Sequence, residues 1–222
     1  MTKAGFEILS CSTFGSHCYG LPLATSDFDI AVVLAAGQNP RKFTERFREM
    51  SWASPEFTCT QRRVRSDCHQ TEFQHLPVDV KPIKRTRASD GACRSTDVLK
   101  FSIEKRKQED LSFPAKLKAI LIFKLICHQL DITQHHMKPR GQKIKAITLS
   151  YWAVAVCDYF NVDADVGCIL RFLCETFLRF DWKQWKVAAS AAGSIHIYEH
   201  GPFTRIGFCK IILHSTTYVN QL

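Results

Sequence analysis

The stretch Phe14–Leu34, FGSHCYGLPLATSDFDIAVVL, holds a Gly-Ser pair, a turn-rich segment and two aspartates one residue apart at the mouth of an apolar run. Phe28, Ile30, Val32 and Leu34 alternate with Asp27, Asp29, Ala31 and Val33, the period of a strand with one face buried. Because successive strand side chains alternate sides, Asp27 and Asp29 project from one face, about 6 to 7 Å apart. Carboxylates that close raise each other's pKa unless a cation lies between them. A divalent ion removes the conflict, and hard carboxylate oxygens with water and phosphate suit Mg2+ or Mn2+ better than zinc.

Working outward, TEFQHLPVDVKPI at 71–83 reads as one strand carrying Asp79, which lies 50 positions after Asp29. If the two strands are neighbours in a sheet, Asp79 supplies a third oxygen ligand. Three carboxylates holding two metals about 3.5 to 4 Å apart give a mechanism for phosphoryl or nucleotidyl transfer. Gly15 and Ser16 then have a purpose, since a glycine at a strand-to-helix turn lets backbone N–H groups approach phosphate oxygens and the serine hydroxyl adds a donor. Each piece alone says little: a lone Gly-Ser is uninformative, and an isolated Ser-Asp-Phe-Asp is more often a turn or cap. The joint spacing carries the reading.

Asn39 followed by Pro40 reads as a cap and first-turn proline opening a helix to about Met50. A basic stretch with Ser and Thr occupies 84–110, after which the pattern turns helical. Ser112 with Pro114 starts a helix through about Leu130, and further helices are expected over Ala146–Phe160, Val166–Phe180 and Asp181–Ala192. A boundary near residue 110 is expected, with a small α/β domain at 1–110 and a helical domain at 111–222.

The 222 residues include 30 Lys and Arg against 21 Asp and Glu, a net charge of +9. That excess favours polyanions and makes their binding salt-dependent. The basic residues cluster in RKFTERFR (41–48), RRVR (62–65) and the segment Lys81 to Lys107, so nucleic acid is the expected partner, with a solvated basic face as the alternative. No membrane span and no signal peptide are read, and an intracellular protein is expected, in the cytoplasm rather than the nucleus or an organelle. Ten cysteines occur without a CxxC pair, so reduced and mostly buried thiols are expected. His69, His128, His135 and His136 are available for zinc, yet none has the paired spacing of a finger.

Gly-Ser, about ten residues, Asp-x-Asp and a distant third Asp resemble the pattern of the polymerase-beta-like nucleotidyltransferase superfamily. FGSHCYGLPLATSDFDI looks most like its template-independent RNA branch, the non-canonical poly(A) polymerases and terminal uridylyltransferases. The resemblance implies an α+β chain: a small mixed-sheet catalytic palm followed by an all-helical nucleotide-binding domain. Asp27, Asp29 and Asp79 would be the catalytic metal triad, with Gly15 and Ser16 on the triphosphate.

LKAILIFKLICHQLDI (117–132) is similar to the family helix that aims a lysine at the triphosphate, which places Lys124 there, with His128 one turn on. Lys124 sits in the otherwise uncharged run Ala119–Cys127, where a desolvated ammonium wants an anion, unless it snorkels to solvent. ITLSYWAVAV (147–156) resembles a Ser-Tyr helix start, making Ser150 a γ-phosphate donor and Tyr151 a pocket wall; a helix-interior serine is the alternative. In FLCETFLRFDW (172–182), Phe177 takes the place of the aromatic that stacks on the base, or serves the core instead. YEHGPFTRIG (198–207) resembles an Asp-Pro-Phe turn with Gly201 in place of the acid, which leaves UTP or ATP open. Only thirteen residues precede Phe14, where relatives begin with a helix, so a minimal or shortened form is expected. The resemblance implies addition of UMP or AMP from NTP to RNA 3′ ends. The rivals are an inactive RNA-binding subunit and an enzyme with a non-RNA acceptor.

Overall fold

The alternating run after Asp27 forms the second strand of a five-stranded sheet. A computed structural model describes residues 5–58, 68–84, 91–133, 144–160, 164–182, 185–190, 194–199 and 212–214. The chain divides into two units, Met1–Thr96 and Asp97–Leu222.

In the first unit, β1 (Ile8–Phe14) runs into a short helix α1 (Gly15–Cys18), and β2 (Phe28–Leu34) follows. Next come α2 (Pro40–Ala53), β3 (Phe57–Thr58), β4 (His69–Phe73) and β5 (Leu76–Lys84). The strand order is β1-β2-β5-β4-β3, with β2 and β5 parallel and the other pairs antiparallel. Asn39 accepts from the Arg41 N–H at 2.9 Å with Pro40 in the first turn, so the helix start is the one the sequence indicates. Phe43 of α2 joins Val32, Leu34, Val78 and Val80 in the core. The even-numbered side chains of β2 and β5 therefore face α2, which leaves Asp29 and Asp79 on the opposite face.

The expected single strand over 71–83 is a hairpin. Gln74 and His75, at φ 47° and 68°, turn the chain between β4 and β5. Two successive left-handed residues make a tight two-residue turn, and the usual Asn-Gly or Asp-Gly signal for it is missing from this sequence.

The boundary between the units falls within α3 (Gly91–Glu109), a helix that the polar, basic composition of 84–110 conceals. Its signal is the buried set Val98, Leu99, Ser102 and Ile103, spaced along one helical face. The second unit continues with α4 (Phe113–Gln129), α5 (Ala146–Cys157) and α6 (Val166–Arg179). Every residue of α5 from Thr148 to Cys157 is buried, and Phe123, Trp152, Phe177, Phe180 and Trp182 form one aromatic cluster with centroid separations of 4.6 to 5.8 Å. Lys116 is buried against Asp110 at 2.7 Å and donates to the Phe160 carbonyl at 3.2 Å, tying the start of α4 to the end of the following helix.

The expected helix over Asp181–Ala192 is not formed. β6 (Trp185–Ser190) lies there instead, between β7 (Ile195–Glu199) and β8 (Ile212–His214), so the second unit is mixed rather than all-helical. The alanines of Trp185–Ser190 favour helix by propensity, but pairing with the alternating Ile195–Glu199 overrides them. Among the described residues no helix is long and apolar enough to cross a membrane. The described cysteines are free thiols; Cys127 and Cys157 are buried as expected, whereas Cys11 and Cys168 are exposed.

Candidate active site

The two strands that carry the acids are direct neighbours. In the parallel pair β2–β5, Asp29 stands opposite Asp79, so their side chains emerge side by side from the face away from α2. Asp79 is 6% exposed, and Asp27 lies half-buried one residue before β2 begins. Burial, the charge of Asp79 and the charge of Asp27 push the Asp29 carboxyl up to about 7, with Lys81 pulling the other way. The site thus holds more negative charge than it neutralises.

The Gly-Ser corner abuts these acids. Gly15 sits at φ +72°, and a Cβ there would lie 1.9 Å from Asp29 Oδ2. Glycine is required both for the left-handed backbone and for the approach of the carboxylate. The Gly15 N–H donates to Thr96 Oγ1 at 3.1 Å, and Thr96 is 1% exposed. This amide is therefore engaged within the protein, and a phosphate at the corner would fall to Ser16. The loop to the acids closes locally: the Leu23 N–H donates to Ser26 Oγ at 2.8 Å, and the His17 ring packs on Phe28 with centroids 5.1 Å apart.

The donor set fits a divalent cation by its chemistry: hard oxygens and mutual repulsion that a cation would relieve. Among the described residues, however, no three His, Cys, Asp or Glu side chains are gathered closely enough to hold a metal ion, so the expected three-acid convergence is not formed. Asp29 and Asp79 are the adjacent pair, and Asp27 joins them electrostatically.

Three contributors were not legible beforehand. Gln70 of β4 faces Asp79 in register and donates from Nε2 to Asp79 Oδ2 at 3.0 Å. Thr96 holds the corner, and Lys81 moderates Asp29. A two-residue turn at 74–75 fixes pairing by numbers that sum to 149, so recognising the turn would have identified Gln70; nothing in the sequence points to Thr96.

In the second unit, Lys124 is 4% exposed, so its ammonium does not snorkel to solvent, and burial pulls its pKa down to about 8. His128 is half-buried one turn on. Ser150 is buried and its hydroxyl donates to the Ala146 carbonyl at 2.9 Å. Tyr151 is fully buried, and Phe177 is partly exposed at the edge of the aromatic cluster. Arg41 and Arg46 of the first basic cluster pair with Glu45 and Glu49. RRVR (62–65), His135, His136 and the Gly201-Pro202-Phe203 turn lie outside the described residues.

No protein-family model and no curated protein matches the chain. Solved structures do. The polymerase core of TRAMP, an RNA surveillance complex, superposes with a TM-score of 0.56 at 14% identity, over 85% of this chain and 58% of that one. The Cid1 poly(U) polymerase with MgGTP bound gives 0.56 at 13%, over 81% of this chain and 64% of that one. The GLD-2/RNP-8 complex gives 0.59 at 10%, over 84% and 67%. The chain thus spans about three-fifths of the length of the first two structures. Its fold is that of the non-canonical poly(A) polymerases and terminal uridylyltransferases.

Proposed function

We propose that the chain is a template-independent RNA nucleotidyltransferase that adds UMP or AMP from the nucleoside triphosphate to RNA 3′ ends by two-metal catalysis. The observation that supports it best is the in-register placement of Asp29 and Asp79 beside the Gly15 corner. The RNA 3′ oxygen attacks the α-phosphorus and a new P–O bond forms. The bond from the α-phosphorus to the bridging oxygen breaks, and pyrophosphate leaves with the electron pair. Asp79 directs the 3′ hydroxyl and takes its proton on the way to solvent. Mg2+ or Mn2+ held by Asp27, Asp29 and Asp79 supplies, when bound, the positive charge that acidifies the hydroxyl and balances the leaving pyrophosphate.

Within the first unit, Ser16 is the side-chain donor for phosphate. Within the second unit, taken by itself, Lys124 is the cation that gains most from an anion, because its buried ammonium shares the desolvated surroundings the anion would enter. His128, Ser150, Tyr151 and Phe177 stand on the same three helices, and Phe177 offers the exposed aromatic edge for the base. Basic side chains outside the exposed ion pairs hold the RNA backbone. Complexes such as TRAMP and GLD-2/RNP-8 suggest a protein partner as well.

The test is incubation with labelled RNA, Mg2+ or Mn2+ and each NTP separately. Stepwise extension with UTP or ATP, lost in Asp29→Ala, is expected. No extension with any nucleotide, and no difference for Asp29→Ala, overturns the proposal.

A further inference from the structure

We propose that Gln70 is a positioning residue for the third catalytic acid, a reading that rests on the function proposed above and goes one layer beyond it. Asp79 lies on the middle strand of its sheet, flanked on one side by Asp29 and on the other by Gln70, each directly in register. A carboxylate 6% exposed beside another carboxylate needs a donor to hold it in place. The Gln70 amide supplies it, Nε2 to Asp79 Oδ2 at 3.0 Å.

The choice of an amide has a chemical consequence. A lysine or arginine at position 70 would orient Asp79 equally well, but its charge would cancel the field that draws a cation. A glutamate would add a fourth repelling acid, directly across the strand pair from Asp79. Glutamine fixes the orientation of the carboxylate and leaves its charge for the metal. Partners of this kind, which hold a ligand without touching the ion, change metal affinity or activity by about 10- to 100-fold when removed. Gln70 reaches Asp79 only because the tight turn at Gln74-His75 sets the register of β4 on β5.

Gln70→Met keeps the length and removes the donor, and Gln70→Leu removes the donor with a shorter neutral side chain, so neither changes the charge that a cation meets. The primary readout is Mn2+ binding to the full chain without nucleotide, followed by the loss of the free-ion EPR signal. The secondary readout is the split between kcat and the RNA KM in the extension assay. Gln70→Met and Gln70→Leu are each expected to weaken Mn2+ binding about 10-fold, with kcat at limiting metal falling in step, recovering at high Mn2+, and the RNA KM unchanged. A merely structural role would move the melting temperature and leave Mn2+ affinity per folded molecule alone, and that result overturns the inference. If Gln70→Met does not fold, Gln70→Leu decides the matter by the same measurement. Wild-type protein that extends RNA while both variants bind Mn2+ as it does refutes the role of Gln70 only. Wild-type protein that neither binds Mn2+, as an Asp79→Ala control also would not, nor extends RNA refutes the function and this inference together.

Discussion

Gly15, Asp29 and Lys124 are each poor choices for stability, and each cost has a measurable sign. A methyl group at Gly15 would have to displace Asp29 Oδ2 from 1.9 Å on a backbone at φ +72°, so Gly15→Ala should destabilise the first unit by about 1–3 kcal/mol and abolish extension. Thermal unfolding beside the activity assay reads both. Burial first, and then the charges of Asp79 and Asp27, push the Asp29 carboxyl up to about 7. At pH 8 with EDTA present, Asp29→Asn should therefore be more stable than wild type by about 1–2 kcal/mol, a value reduced for the water that reaches a half-buried group. Added Mn2+ should stabilise the wild type and not the variant; equal responses would remove Asp29 from the cation site. For Lys124 the folded pKa, about 8, lies below the ordinary 10.5. Between those pH values the unfolded chain holds a proton that the folded chain has lost, so this group makes stability rise as pH climbs through the window. Lys124→Met should flatten that rise and stabilise the protein at pH 7 by about 2 kcal/mol, while weakening NTP binding; denaturant unfolding at pH 7 and 10 checks the sign.

At the scale of elements, legibility followed the strength of the local signal. β2 announced itself because four apolar residues alternate on one side of it, and α2 because Asn39-Pro40 is both cap and first turn. The β4–β5 turn did not, because Gln74 and His75 adopt positive φ without glycine or asparagine, and missing that turn hid Gln70 from view. Replacing the pair by Asn-Gly should stabilise the hairpin by roughly 0.5–1 kcal/mol without changing the register, a gain readable in a melting curve. The helix α3 was masked by its charged outer face, where Lys105, Lys107, Glu104 and Glu109 form i,i+3 and i,i+4 pairs over a buried set in which only Val98, Leu99 and Ile103 are apolar. β6 failed for the reverse reason. Its alanines are good helix formers, and only the distant partners Ile195–Glu199 and Ile212–His214 decide that the segment is a strand. The neighbouring strands of Asp29 and Asp79 were legible from their patterns, whereas Gln70, which bonds Asp79, and Thr96, which bonds Gly15, come from β4 and α3 and depend on registers that no local pattern encodes.

For the whole molecule, the question is what a net charge of +9 does. Several described cations are already engaged: Arg41, Arg46, Lys107 and Arg171 in exposed pairs, Arg106 with Asp158 at 2.6 Å and Lys116 with Asp110. Exposed pairs of this kind contribute little to stability, but each anion in them offsets a charge that RNA would otherwise meet. Those anions are already subtracted in the net charge of +9, whose excess is spread over the whole chain rather than gathered at one surface, so a grip on about three to five phosphates is the expectation. Counterion release then sets the salt dependence: between 50 and 200 mM salt, affinity for single-stranded RNA should fall roughly 20- to 100-fold. On the proposed function Asp27→Ala/Asp29→Ala should leave that slope unaltered, because the acids would hold metal rather than RNA backbone. A nucleotidyltransferase with a small acceptor would show almost no slope, and a binding-only subunit would show the slope with no extension. Fluorescence anisotropy of a labelled oligonucleotide across the salt range, paired with the extension assay on the same samples, separates all three, because charge governs the first measurement and the acids govern the second.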